Sequence, residues 1–201
     1  MWRSNLDVSP KLEAVVRRIK HLLHQDAAAK ILVFSSWQDV LELVSHALHT
    51  NKLPYAYARG RKAFDSAVAD FKQPKSEEST SGGIQILLLL IKQGANGLNL
   101  TEAQHVILTE PLLDPAVEAQ AVGRVHRIGQ TQPTFVHRFV IEATVEENVR
   151  RLSSRRAAAM DLSVAAGAGR GSHVGQQEPL TVRDVALLLQ QNWTAETAAG
   201  S

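Results

Sequence analysis

The sequence contains no cysteine. A disulfide scaffold, a Cys-ligated zinc site and thiol chemistry are thereby excluded, and the composition fits a reducing compartment, cytosol or nucleus. Long apolar runs are missing as well. The opening MWRSNLDVSPKLEAVV has no h-region of a secretory signal, and nothing reaches the ~18 apolar residues of a membrane span, so no membrane partner is expected. Excess charge is scarce: 22 Lys and Arg stand against 20 Asp and Glu, a formal net charge of +2. A dedicated nucleic-acid-binding arm would be far more basic, so any such contact must be local. There is no GxxxxGKS/T phosphate loop, no GxGxxG after the first strand, no Ser-His-Asp order and no paired-acid constellation. The missing GxGxxG argues against an independent dinucleotide-binding domain, and the missing triad and acid pair leave other hydrolase chemistries without support.

What is present is alternation. At 201 residues with 44% hydrophobic content, the chain is long enough for one sizeable core with appendages. Ser9 to Gln25 opens Ser-Pro-x-x-Glu and spaces Leu12, Val15, Val16, Ile19, Leu22 and Leu23 as one helical face. Strands are predicted at Ile31–Ser35, Tyr55–Ala58, Ile84–Leu90, His105–Leu108 and Thr134–Val140. Helices are predicted at Trp37–His49, Ala63–Phe71, Pro115–Ile128 and Val145–Arg156. Apolar strands separated by helices define an α/β fold, an open, mostly parallel sheet with helices on both faces. The loops beyond the carboxyl ends of the strands, after Ser35, Leu90, Leu108 and Val140, are where such sheets place ligands. Gln73–Gly83 and Gly167–Pro179 have linker composition and are expected to be mobile. The tail TVRDVALLLQQNW reads as a helical appendage packing back through Val185, Leu188, Leu189 and Trp193. The expected organisation is therefore an opening helix over 1–29, a lobe over 30–159, a linker over 160–180 and a terminal helix and tail over 181–201.

The most informative stretch is EAQAVGRVHRIGQ, residues 118–130. On a helix Gln120, Arg124 and Arg127 stand at i, i+4 and i+7 and share one face. Gly123 beside them would cost about 1 kcal/mol against Ala in a purely structural helix, which suits close approach by another surface. Permanently charged, planar guanidiniums can clamp the charge spread over a transferring phosphoryl group. A solvated basic face is the ordinary reading of an arbitrary Arg pair. The loop GANGLNL, residues 94–100, lets backbone N–H groups approach a phosphate or a facing surface, although a tight turn would look the same.

Taken together, QAVGRVHRIGQ resembles motif VI of the SNF2 ATPases, KILVFSSWQDVL (residues 30–41) resembles their motif IV, and QGANGLNLTEAQHVIL (residues 93–108) their motif V, in the right order. The opening PKLEAVVRRI is similar to the helix that begins their second lobe, so the resemblance runs from about Ser9 to Leu152. It implies a RecA-like lobe of a DNA-stimulated ATPase or translocase. By position, Arg124 and Arg127 would be arginine fingers, with Gly97, Asn99 and Gln120 beside the nucleotide. Ser35, Ser36, Gly60 and Lys92 would face a nucleic-acid backbone. ATP and Mg²⁺ would be held mainly by a first RecA-like lobe carrying the phosphate loop, in cis in a longer protein, so this chain alone should not hydrolyse ATP. Double-stranded DNA or chromatin is the implied partner and the nucleus the implied location.

VFSSWQDVLELVSHAL, GRVHRIGQTQPTFVHRFVIEATVEE and TVRDVALLL look most like the branch of that family that also carries PHD and RING fingers. A RING needs Cys ligands, so ubiquitin-ligase activity would belong to other domains. Two departures stand out. Ala58-Arg59-Gly60 replaces a common Leu-Asp-Gly, which puts backbone contact through Gly60 in doubt, and Asn96 replaces a small or branched residue. The alternative is a non-catalytic module that docks on chromatin or protein.

Other basic and aromatic residues carry less. Arg150, Arg151, Arg155 and Arg156 would track phosphates or solvate a helix end. The His21/His24 and His46/His49 pairs lack the convergent acids of a metal site, and none is assigned. His126 is read as a hydrogen-bonding helper, and Trp37 as packed in the core or at an interface rather than stacking on a ligand.

Overall fold

A computed structural model describes residues 9–73, 83–94, 99–127, 129–165 and 179–190. The chain divides into two compact units, residues 1–110 with 119–139, and residues 111–118 with 140–201.

The first unit is built on a five-stranded, wholly parallel sheet in the order β2-β3-β1-β4-β5. The strands are β1 (Ile31–Ser35), β2 (Tyr55–Tyr57), β3 (Ile86–Leu90), β4 (His105–Leu108) and β5 (Phe135–Arg138). Each strand matches its expected position, trimmed by a residue or two at the margins of β2, β3 and β5. Every residue of β1 is buried, as a central parallel strand covered on both faces requires. Ile31, Val33, Ile86, Leu88 and Ile107 share a core with Val15, Ile19 and Leu22 of α1 (Pro10–Gln25) and Leu41, Val44 and Leu48 of α2 (Gln38–Thr50). The alternate strand residues Leu32, Phe34, Leu87, Leu89 and Val106 point to the other face and are equally buried.

The helix α3 (Gly60–Lys72) packs on β2 and β3, and its carboxyl end is capped by Lys30 from the start of β1. The Lys30 ammonium donates to the Phe71 and Gln73 carbonyls and lies 5.2 Å from the Phe71 ring centroid. Its charge complements the helix dipole. Burial pushes it below its ordinary pKa, with Glu102 acting in the opposite sense. A short helix α4 (Ile91–Gly94), not expected from sequence, follows β3 directly.

The helix α5 (Pro115–Val122) stops well short of the expected Ile128. The second unit contains α6 (Val145–Ala165), which runs past Arg156 into the expected linker, and α7 (Val182–Leu188). Polar contacts dock α7 on α6: the Asn148 amide donates to the Leu188 and Gln190 carbonyls at 3.1 and 2.7 Å, and Arg156 pairs with Asp184 at 3.0 Å. The expected apolar packing of α7 is corrected here, because no α7 residue is buried and Val185 and Leu189 are exposed. Trp193, residues 74–82 and 167–178 of the expected linkers, and Asn96 lie outside the described residues. No described helix is long and apolar enough to cross a membrane.

Candidate functional site

The parallel sheet brings the ends of β2, β3 and β1, adjacent strands, to one edge, and the expected backbone-facing residues follow those ends. Gly60 opens α3 after β2 with φ +74°, a left-handed conformation that only glycine adopts without strain, and a Cβ added there would meet open space. Lys92 is exposed on α4, immediately after β3. Ser35 ends β1 and is only 1% exposed. Its hydroxyl lies 3.0–3.1 Å from the Glu110 carboxylate, which also accepts from the Ser36 backbone N–H and contacts the Thr109 hydroxyl. Glu110 thereby ties the end of β4 to the end of β1. An external phosphate could reach Ser35 or the Ser36 N–H only by displacing this carboxylate.

The arginine segment departs from the expected helical face. Gln120 is the last of the three still on α5, since the helix ends at Val122. Beyond it the chain tightens into turns, with Arg124 N–H bonded to the Ala121 carbonyl, Val125 to Val122, and Arg127 to Val125. Two observations explain the break. Gly123 lies at the exit, where an added Cβ would press on the Ala119 carbonyl oxygen at 3.1 Å, so the missing side chain already has a reason within the chain. The Arg124 carbonyl accepts instead from the Leu100 N–H, at 2.9 Å.

That bond places Asn99 and Leu100 beside Arg124, joining the two glycine-containing segments that the sequence separates. The Gln130 amide reinforces the junction by donating to the Thr101 and Ala103 carbonyls, both at 2.9 Å. Gly129, at φ +105°, makes the turn between Arg127 and Gln130 possible. Arg124 is half-buried, whereas Gln120, Asn99, His126 and Arg127 are exposed. Gly97 lies outside the described residues.

His126, Arg127, Gly129, Gln130, Gln132, Pro133 and Thr134 line a cleft of about 530 Å³. It contains a guanidinium and amides but no carboxylate, and the buried Thr134 hydroxyl on its wall has no partner among the described residues. These donors fit an anionic phosphate. They do not fit its divalent cation, and among the described residues no three His, Asp or Glu side chains gather.

Among the remaining candidates, Trp37 is corrected as a core residue, since it is 66% exposed. Arg150, Arg151 and Arg155 are exposed, while Arg156 is taken up by Asp184. Sequence reasoning did not single out Glu110 or the edge-strand histidine His137, because neither belongs to a motif.

An all-parallel sheet carrying an arginine turn stapled to the loop before β4 is the architecture of a helicase-type lobe. The chain belongs to the helicase conserved C-terminal domain family, whose profile matches residues 13–129. It is 49% identical over 144 residues to the E3 ubiquitin-protein ligase SHPRH of Homo sapiens, a match covering 72% of this chain and 8% of that protein. The DNA repair protein RAD5 of Cryptococcus neoformans is 32% identical over 84% of the chain and 14% of its own length. The chain thus spans less than a sixth of either relative. The crystal structure of the C-terminal part of the Fun30 ATPase domain superposes with a TM-score of 0.66 at 22% identity, over 76% of this chain and 48% of that one. The resemblance to SNF2-type carboxy-terminal lobes and the RecA-like α/β fold read from the sequence are both borne out.

Proposed function

We propose that this chain acts as the second lobe of an SNF2-type, DNA-stimulated ATPase, presenting Arg124 and Arg127 as arginine fingers to a nucleotide on a first lobe whose phosphate loop this sequence does not contain. The observation that supports the reading is the backbone bond from Leu100 to Arg124, which holds the segment of Asn99 beside that of Arg124. ATP, with Mg²⁺ held by the first lobe, would supply the phosphoryl group and its leaving chemistry. The residues here supply fixed positive charge and Gln120 and Asn99 amides, which need no reorganisation when charge develops. Gly97 belongs to the same nucleotide-facing set.

Lys92, Gly60 and the Ser35–Ser36 strand end would meet double-stranded DNA, the serines after exchange with Glu110. The likeness to proteins named for DNA repair and ubiquitin ligation supports a nuclear, chromatin-associated role for the whole protein. Ligase chemistry would rest on domains with zinc-binding cysteines, which this chain lacks.

Joining the chain to a first lobe from an SNF2-type relative should give ATP turnover that rises with duplex DNA. In that two-lobe protein Arg127→Ala should lower kcat by about 10³-fold, within the range removed with an arginine finger, and leave the thermal midpoint unchanged because Arg127 is exposed. Unaltered turnover in the variant would overturn the arginine role. Absence of turnover in the parent two-lobe protein would favour a non-catalytic binding module.

A further inference from the structure

The carboxyl ends of β1 and β4 carry an oxyanion-binding set that the chain fills with its own carboxylate. Phe34 pairs with Leu108, so Ser35 and Thr109 continue side by side at the sheet edge. Three donors converge on Glu110: the Ser35 hydroxyl, 3.1 and 3.0 Å from its two carboxylate oxygens, the Ser36 backbone N–H and the Thr109 hydroxyl. Ser35 and Thr109 are 1% and 2% exposed, whereas Glu110 is only half-buried. All three donors are neutral, and among the described residues no Lys or Arg pairs with Glu110. The carboxylate is thus held by hydrogen bonds alone.

If that carboxylate swings out, its donors fare differently. The Thr109 hydroxyl has one proton and two acceptors in reach, Glu110 and the Phe34 carbonyl at 3.1 Å, so it turns to the carbonyl and stays satisfied. The Ser35 hydroxyl accepts from the Trp37 N–H at 3.1 Å but still needs an acceptor for its own proton, and the Ser36 N–H needs another. Two donors, adjacent in the chain and fixed at the end of β1, are left for one incoming group. A cation or an apolar group would leave them bare, and an oxyanion bonds them more strongly than water does.

We propose that Glu110 is a built-in competitor: it occupies, and must vacate, a site for one phosphate group formed by the Ser35 hydroxyl and the Ser36 N–H. Carboxylate and phosphate both offer anionic oxygens to these donors, so one can replace the other without rebuilding the site. The displaced carboxylate stays tethered nearby and repels the newcomer, which lowers the affinity of the edge for phosphate. Phosphate therefore enters when it is delivered at high local concentration. Lys92 is placed to do this, since Ser35 pairs with Leu90 and Lys92 is exposed just past that neighbouring strand. The DNA backbone as the source of the phosphate rests on the function proposed above, whereas the site itself does not.

The test titrates the 201-residue chain with inorganic phosphate, reading the Ser36 amide by NMR against chloride at equal ionic strength. In the wild type that amide should barely move. Glu110→Ala empties the site and should give a saturable, phosphate-specific Ser36 shift together with a thermal midpoint that phosphate raises. Glu110→Gln keeps an oxygen for the Ser36 N–H and so holds the fold even where the alanine variant does not. Lacking the charge, it should show the same shift at higher phosphate concentration and bind a short DNA duplex about tenfold more tightly than the wild type, the scale of one like-charge contact removed. A phosphate response without that gain for the duplex would support the oxyanion site while counting against DNA as its source, so the two readings fail separately. No Ser36 response to phosphate in either variant, or an equal response in the wild type, would overturn the proposal.

Discussion

His137 is uncharged where a surface histidine would be titrating. Its folded pKa of about 4 lies below the ordinary 6.5, so folding favours the neutral ring. The resulting stability contribution is complete above pH 6.5 and is lost as pH falls toward 4, because the unfolded chain then takes up a proton that the folded one resists. Urea unfolding midpoints should accordingly fall between pH 6.5 and 4, and His137→Gln should flatten that dependence. The sequence could not have shown this. The partners of His137 are Arg18 and His105, 119 and 32 residues away, and Glu110 meets Ser35 and Ser36 across 75 and 74 residues. A motif singles out Arg124 and Arg127 in the sequence, but the partners that fix their segment were not legible.

The end of α2 shows how an element can close imperfectly and still hold. Lys52 adopts φ +55° just past the Asn51 cap, while the Leu53 N–H reaches back to the Leu48 carbonyl at 3.0 Å and Leu53 packs against the core. This is the left-handed closing turn that glycine usually occupies. Lys52→Gly should therefore stabilise the chain by about 0.5 kcal/mol, the relieved left-handed strain exceeding the added unfolded-state entropy, and a urea melt would read the gain directly. Helices with strong apolar periodicity, α1 and α2, were readable to within a residue or so. The end of α5 was not, since its carbonyl at Arg124 is claimed by a distant loop. The extension of α6 through Ala157, Ala158 and Ala159 has a plain cause in alanine's helix propensity, which a search for apolar spacing passes over.

For the molecule as a whole, parallel strands and intervening helices followed from composition and spacing, because parallel pairing demands crossovers. The order β2-β3-β1-β4-β5 did not, since alternation alone leaves open on which side each new strand adds. The same architecture limits what the chain can do unaided. Its sequence holds no GxxxxGKS/T phosphate loop, so the isolated 201-residue chain is expected to show no ATP turnover above background in a phosphate-release assay, with or without DNA.

The hydrogen bond from Leu100 to Arg124, with Gln130 bridging to Thr101 and Ala103, also sets a clock. A loose loop would carry its arginine to and fro in nanoseconds, sampling wrong positions as often as right ones. Fastened to the segment that leads into β4, the Arg124 backbone is coupled to the sheet, so its larger excursions are expected to follow that segment rather than a free loop. Whatever Arg124 meets, its backbone is then brought there by the segment that leads into β4.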